Sequence, residues 1–348
     1  MGAQRSSGNL ELSGERRVTI ADIARKAQVS TSAVSYALNG RRGVSDVTRR
    51  RIVGLARDLG WQPHSAARAL KASRADSVGL VLAGTGDAFG DAHFLLRFLA
   101  GLEGELGRRG VALVLHTVPD RIAETDVYEQ WYGERRVDGM IVLNPVLDDP
   151  RLDSLERLGV PAVVVGDLRG RARLPCVWTD DLDAAELAVD HLVALGHRRI
   201  ARVGGTPQLL HSGIRKQGFR KAMAAAGLDP AMDIDTEYSI EPATHDLLRS
   251  ARPPTAIIYE SDVMAMEALG VMLEEGIAVP DDVSILGWDD SRYCRLVYPR
   301  LTALGRDIFG YGQLTARHLL AVLAGEDGGD RKGTTTRLVV RDSTGPPR

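Results

Sequence analysis

Three pairs of adjacent carboxylates, Asp180/Asp181, Asp281/Asp282 and Asp289/Asp290, are the first places where this sequence could do acid–base chemistry. Such work needs a base or nucleophile beside the acid, and none stands at a recognisable spacing. No Gly-x-Ser-x-Gly, His-Glu-x-x-His or phosphate-loop pattern occurs. GTGDAFG, Gly84 to Gly90, follows an apolar run as a dinucleotide-binding loop would, but its last glycine comes one residue late. The acidic residue expected after the next strand is also missing, because VALVLHTVP passes through His116 and Thr117 before Asp120. Cys176 and Cys294 lie far apart without neighbours at metal-ligand spacing, so neither a disulfide framework nor a metal site is expected. The chain is read as no enzyme, needing no cofactor.

What remains is recognition, and charge says where. Residues 1–76 hold fourteen Lys/Arg against six acids, a net +8 that leaves −10 for the rest of the 348-residue chain. A small basic region on a large acidic one suits a nucleic-acid binder with a separate second task. At 44% hydrophobic the chain can bury ample core. No window approaches 18 consecutive apolar residues and MGAQRSSGNLELSGERR has no secretory apolar stretch, so a cytoplasmic protein away from membranes is expected. Residues 1–17 read as a disordered extension.

The elements that must position the basic residues begin at VTIADIARKAQVSTSAVSYALN, Val18 to Asn39. Thr19 with Asp22 three residues on forms a capping-box pattern, with Val18 and Ile23 as a staple over it. Ile20, Ile23, Ala24 and Ala27 then share one helical face. Ser30 caps a second helix, with Val34, Ala37 and Leu38 inward and Thr31, Ser32, Ser35 and Tyr36 outward. A third helix, Ser45 to Leu59, repeats Ile52, Leu55, Ala56 and Leu59 and stops at Gly60. Two short helices around a four-residue turn make a helix-turn-helix, spanning 18–62.

At these residues, and through VTRRRIVGLARDLGWQPHSAARALK and later motifs, nearly the whole chain resembles the LacI/GalR family of bacterial transcription regulators. The resemblance implies that Thr31, Ser32 and Tyr36 read bases, that Ser30, Ser35 and Asn39 set the helix against the DNA backbone, and that Thr19 also belongs to the DNA-binding set. Arg50 and Arg51 would meet phosphates. Gln28 stands where the family usually has glycine. PHSAARALK, within a 63–76 linker, would be the family's hinge helix, with Leu70 wedged into the minor groove beside Ala67 and Lys71.

From Ser77 the apolar runs SVGLVLA, VALVLHT, DGMIVLN and PAVVVGD alternate with helical segments, and RIARVGG, AIIYE and VSILGWDD form a second series. This is the pattern of parallel α/β sheets. The expectation is an α/β periplasmic-binding-protein-like domain, 77–345, of two Rossmann-like subdomains: about 77–176 with 307–325, and about 177–304 with 334–344. Ligands of such sheets sit beyond the strand C-termini. By family resemblance, Arg215 in HSGIRKQGF would clamp an effector and Asp289 in GWDD would accept from it, the two gripping it from opposite sides. Ser261 occupies the usual Asn position before Asp262. Further wall candidates are Gly84, Phe89 and Phe94 after the first strand, Asp167 after the fourth, and His211, Trp288 and Ile308. LGHRRIA, with His197, reads as structural.

The implied function is a homodimeric or larger repressor whose affinity for a pseudo-palindromic operator is set by a small molecule. A sugar is the favoured effector class, with a purine or other metabolite as the alternative. A solute-binding protein shares the sensing fold but has no DNA-binding head.

Overall fold

The computed structural model describes residues 18–61, 74–84, 92–236, 240–326 and 328–348. The extension 1–17, the hinge positions Ala67, Leu70 and Lys71, and Phe89 lie outside the described residues. The chain divides after Ser73 into two compact units.

The first unit contains α1 (Ile20–Ala27), α2 (Thr31–Leu38) and α3 (Asp46–Asp58). Each starts on a side-chain cap: Thr19 accepts from the Asp22 amide at 3.3 Å, Ser30 from Ala33 at 3.1 Å and Ser45 from Thr48 at 3.3 Å. The Asp22 carboxylate returns the bond to the Thr19 amide at 3.0 Å, completing the capping box. Each cap contributes about 1 kcal/mol, which helices this short need. Ile23, Val34 and Ile52 meet in the core, and Ala24, Ala27, Ala37 and Ala56 fill the crossings. Gln28 ends α1 in the left-handed region, φ 52° and ψ 45°. Its N–H donates to the carbonyls of Ala24 and Arg25, against a conformational cost of about 1–2 kcal/mol for a residue with a Cβ.

Among its described residues the second unit holds two six-stranded sheets. The first runs in the order β2 (Ala112–Val118), β1 (Ser77–Ala83), β3 (Gly139–Leu143), β4 (Ala162–Val165), β5 (Cys176–Trp178) and β11 (Arg331–Lys332), all parallel. The second runs β7 (Asp233–Asp235), β6 (Ile200–Gly204), β8 (Ala256–Tyr259), β9 (Ser284–Trp288), β10 (Thr302–Gly305) and β12 (Arg337–Val339), with only β12 antiparallel. Near-continuous Val, Ile and Leu runs fit strands covered on both faces. The covering helices are α4 (Ala92–Arg108), α5 (Arg121–Gly133) and α6 (Pro150–Leu158), then α7 (Asp181–Ala194), α8 (Leu210–Ala225), α9 (Glu241–Leu248), α10 (Asp262–Glu274) and α11 (Ile308–Leu323).

The chain passes from the first sheet to the second after Trp178, two residues beyond the boundary expected at 176, because Val177 still pairs with Val165. It returns for α11, which packs with α4 into the core of Val78, Leu80, Phe98, Leu102 and Leu319. That crossing is as close as glycine allows: a Cβ on Gly101 would sit 2.0 Å from the Phe309 carbonyl oxygen, and one on Gly312 2.2 Å from that of Phe98. The first sheet also takes β11, past the 307–325 segment assigned to it from sequence. The short strands β5, β7, β10 and β11 carry too few residues to show a periodicity. His197 is structural, held between Thr255 Oγ1 and the Gly345 carbonyl, each at 2.9 Å.

Candidate ligand cleft and nucleic-acid interface

Both sheets direct their C-terminal strand ends into one cavity of about 380 Å³, within the range of small-molecule sites. Leu82 and Ala83 reach it from β1, Asn144 from β3, Gly166 from β4 and Thr179 from β5. Gly205 and Thr206 come from β6, Thr236 from β7, Glu260 and Ser261 from β8, Asp289 from β9 and Arg306 from β10. Parallel strands place their C-termini on one edge, so the topology itself gathers these residues.

Of the residues expected here, Phe94, His211, Arg215, Ser261 and Asp289 line the cavity. Gly84, Asp167, Asp262, Trp288 and Ile308 do not. Gly84 donates its amide to the Val118 carbonyl at 2.9 Å, and Asp167 turns back to Arg169 at 3.4 Å. Asp262 is fully buried and accepts from the Ser291 amide at 2.8 Å, while Ser261 caps α10 and faces the space. Trp288 lies beneath Arg215, whose guanidinium carbon is 4.2 Å from the ring centroid. Ile308 packs in the α4/α11 core. At strand-to-helix junctions one residue of register separates wall from core.

Arg215 and Asp289 both line the cavity without bonding to each other. Arg215 Nε donates to Asp181 at 3.1 Å and its Nη1 to the Glu260 carbonyl at 3.1 Å. Asp289 accepts instead from Arg306 Nε at 2.7 Å, and Arg306 Nη1 donates to Thr179 at 2.9 Å. Arg306 also lies 4.0 Å from Asp181 and 5.4 Å from the Phe94 ring centroid. Two guanidiniums and two carboxylates therefore alternate along one wall. Asp181 had shown in the sequence only as one of a pair of acids, and Arg306 carried no motif signal.

Burial alone would raise the Asp181 pKa, but Arg215 and Arg306 outweigh it and hold the carboxyl below its usual range. Burial likewise opposes the Arg306 charge, and Asp289 and Asp181 keep it firmly protonated. For His211 the balance goes the other way: burial, reinforced by Arg215, outweighs the pull of Asp181 and lowers its pKa to about 3. It is neutral at pH 7, able to donate from one nitrogen and accept at the other. An unfolded histidine binds its proton near pH 6.5 and the folded one refuses it until about 3. Stability is therefore whole above pH 6.5 and is lost as pH falls from there, by at most about 1.4 kcal/mol per unit for one proton. His211→Gln is expected to flatten the melting-temperature profile between about pH 6.5 and 4.5. Parallel profiles for the two proteins would count against a half-buried, neutral His211.

In the first unit, Thr31, Ser32 and Tyr36 are exposed on α2. The Ser30 hydroxyl caps that helix, and Asn39 donates to the Ser35 carbonyl at 2.7 Å, fixing its C-terminal end. Thr19 donates to the Asp22 carboxylate at 2.6 Å. Arg51 donates to the Ala27 carbonyl at 2.6 Å and so fastens α3 to the end of α1, and both Arg50 and Arg51 are exposed. Arg49, in the same basic run, similarly reaches the Arg41 carbonyl at 2.7 Å.

Residues 19–64 match the family model for bacterial regulatory proteins of the lacI family, and residues 189–344 match the periplasmic binding protein-like domain. The HTH-type transcriptional regulator CelR of Thermobifida fusca is 32% identical over 337 residues, covering 94% of this chain and 98% of its own. The HTH-type transcriptional repressor PurR of Haemophilus influenzae is 28% identical over 334 residues, covering 93% and 98%. Among solved structures, a transcriptional regulator CelR–cellobiose complex superposes with a TM-score of 0.72 at 28% identity, over 94% of this chain and 100% of that one.

Proposed function

The chain belongs to the LacI family of bacterial regulatory proteins and is a DNA-binding transcription regulator, and from that premise we propose that it is a homodimeric cytoplasmic repressor governed by a neutral saccharide. Its operator would carry two related half-sites, as two-fold symmetry requires. The observation that carries the effector reading is the wall on which Arg215, Asp181, Arg306 and Asp289 alternate. Each cation there already has its anion, so the wall offers donors and acceptors without a net charge to neutralise. Such a surface suits hydroxyls, each of which donates and accepts. Similarity to a regulator solved with cellobiose supports the same class.

The reading is tested by thermal unfolding of the full chain with neutral saccharides and, separately, with purine nucleobases. A ligand at a hundred times its Kd stabilises by about 2.7 kcal/mol. A shift with a saccharide supports the proposal; a shift with a purine alone overturns it.

For DNA, exposed Thr31, Ser32 and Tyr36 are the base readers and Arg50 is a phosphate contact. Selection from a random DNA pool should return a changed consensus for Tyr36→Ala. Arg50→Ala should keep the consensus, bind all sites more weakly, and lower the slope of log K against log salt by about 1. One unaltered consensus across Thr31→Ala, Ser32→Ala and Tyr36→Ala would remove α2 from the recognition role.

A further inference from the structure

Elsewhere the cavity lining holds an acceptor with no partner among the described residues. Glu124, in the first turn of α5, lines the cavity although its side chain is only 1% exposed. Its Oε1 is fully engaged, accepting from the Tyr128 hydroxyl and from Arg151 Nη1 at 2.7 Å. Its Oε2 is buried with no hydrogen-bond partner among the described residues. Buried carboxylate oxygens are ordinarily satisfied, because an unpaired one forfeits its hydration for nothing.

The surroundings hold this carboxylate in place. Arg151 also donates to Asp149, from Nε at 2.9 Å and Nη2 at 2.6 Å, and to the Asn144 carbonyl at 3.1 Å. Asp149 caps α6 through the Arg151 amide at 3.1 Å. Arg121, one turn before Glu124 and also on the cavity wall, donates to the same Asn144 carbonyl at 3.1 Å. Two guanidiniums, of Arg121 and Arg151, thus stand against two carboxylates, of Glu124 and Asp149. The cluster is balanced and calls for no cation. An anionic group would meet Oε2 with no proton between the two oxygens. What fits is a neutral donor.

We propose that Glu124 is a specificity-determining residue: its Oε2 accepts a hydrogen bond from one hydroxyl at the end of the effector that faces α5. This rests on the reading of the cleft as a saccharide site, and adds that recognition spans both walls, with Arg215, Asp181 and Asp289 holding the other end.

The test is calorimetric titration of the full-length protein with cellobiose, maltose, lactose and D-glucose, and with the monodeoxy analogues of whichever binds. Glu124→Asp keeps the charge and withdraws the oxygens by one methylene; Glu124→Gln keeps the length and removes the charge. Each is expected to weaken the saccharide about tenfold or more, the size of a hydrogen bond to a charged group. One monodeoxy analogue should lose a similar factor on the native protein and lose nothing further on Glu124→Asp. Melting curves without saccharide show whether each variant is folded. If Glu124→Gln is not, Glu124→Asp and the deoxy series on the native protein decide. Unchanged affinity in Glu124→Asp while Arg215→Ala weakens binding about tenfold or more would mean that Oε2 holds only water, overturning this proposal and leaving the saccharide reading intact. Failure of all four saccharides to bind overturns both.

Discussion

Replacing Arg306 with methionine is expected to destabilise the second unit by about 3–5 kcal/mol, the usual consequence of removing one member of a buried ion pair. For a unit of this size that corresponds to a fall in Tm of roughly 6–12 °C. The side chains of Arg306 and Asp289 are only 8% and 7% exposed, so the carboxylate left behind cannot recover its water. Saccharide response should go as well, because Arg306 bonds Asp289 of the second sheet and the Thr179 hydroxyl just beyond β5 of the first. Asp181 is less exposed to the loss, since Arg215 still holds it at 3.1 Å. The measurement is thermal unfolding of the single variant and of Arg306→Met with Asp289→Asn. Removing the second charge should restore part of the lost stability. A single variant that melts with the parent would show that the pair is solvated and contributes little.

Arg215→Ala should act differently. Its partners are the Asp181 carboxylate and a backbone carbonyl, and Asp181 retains Arg306 at 4.0 Å, so the fold keeps a counter-charge. Saccharide affinity is expected to fall by about 1.5–3 kcal/mol, roughly 10- to 150-fold, the worth of a hydrogen bond to a charged group. Operator binding without saccharide should persist, because the residues proposed to read bases, Thr31, Ser32 and Tyr36, sit in the other unit. Some of the loss will come from Trp288, whose ring the guanidinium covers. The check is a pair of titrations, saccharide and operator, on one protein sample. Unchanged saccharide affinity would place the ligand elsewhere.

The two effects differ because of chain geometry that motifs do not carry. Arg215 stands inside a recognisable pattern, HSGIRKQGF, whereas Arg306 follows a four-residue strand with no periodicity of its own. The wall expected at Ile308 is furnished instead by Arg306, two residues earlier. Of Ser261 and Asp262, both expected at the wall, Ser261 faces the cavity and Asp262 turns into the core. A helix start turns consecutive side chains roughly 100° apart, so an error of one residue exchanges ligand wall for hydrophobic core.

What the sequence by itself determined is whatever local physics decides. The caps at Thr19, Ser30 and Ser45 bond residues three positions away, and each helix of the first unit begins where such a cap predicts. The long apolar runs became the central strands, and their alternation with helices implied parallel sheets with a ligand at their C-terminal edge. The exposed face of α2 also followed from its own periodicity. What only the tertiary structure decided is which charges meet. Arg215 lies 34 positions from Asp181, Arg306 17 from Asp289 and Arg151 27 from Glu124. Strand order and helix packing set these distances, while the identity of a lone Asp or Arg is compatible with many partners. The Glu124 oxygen that has no partner among the described residues belongs to the same class, because a missing hydrogen bond becomes visible only in the tertiary structure.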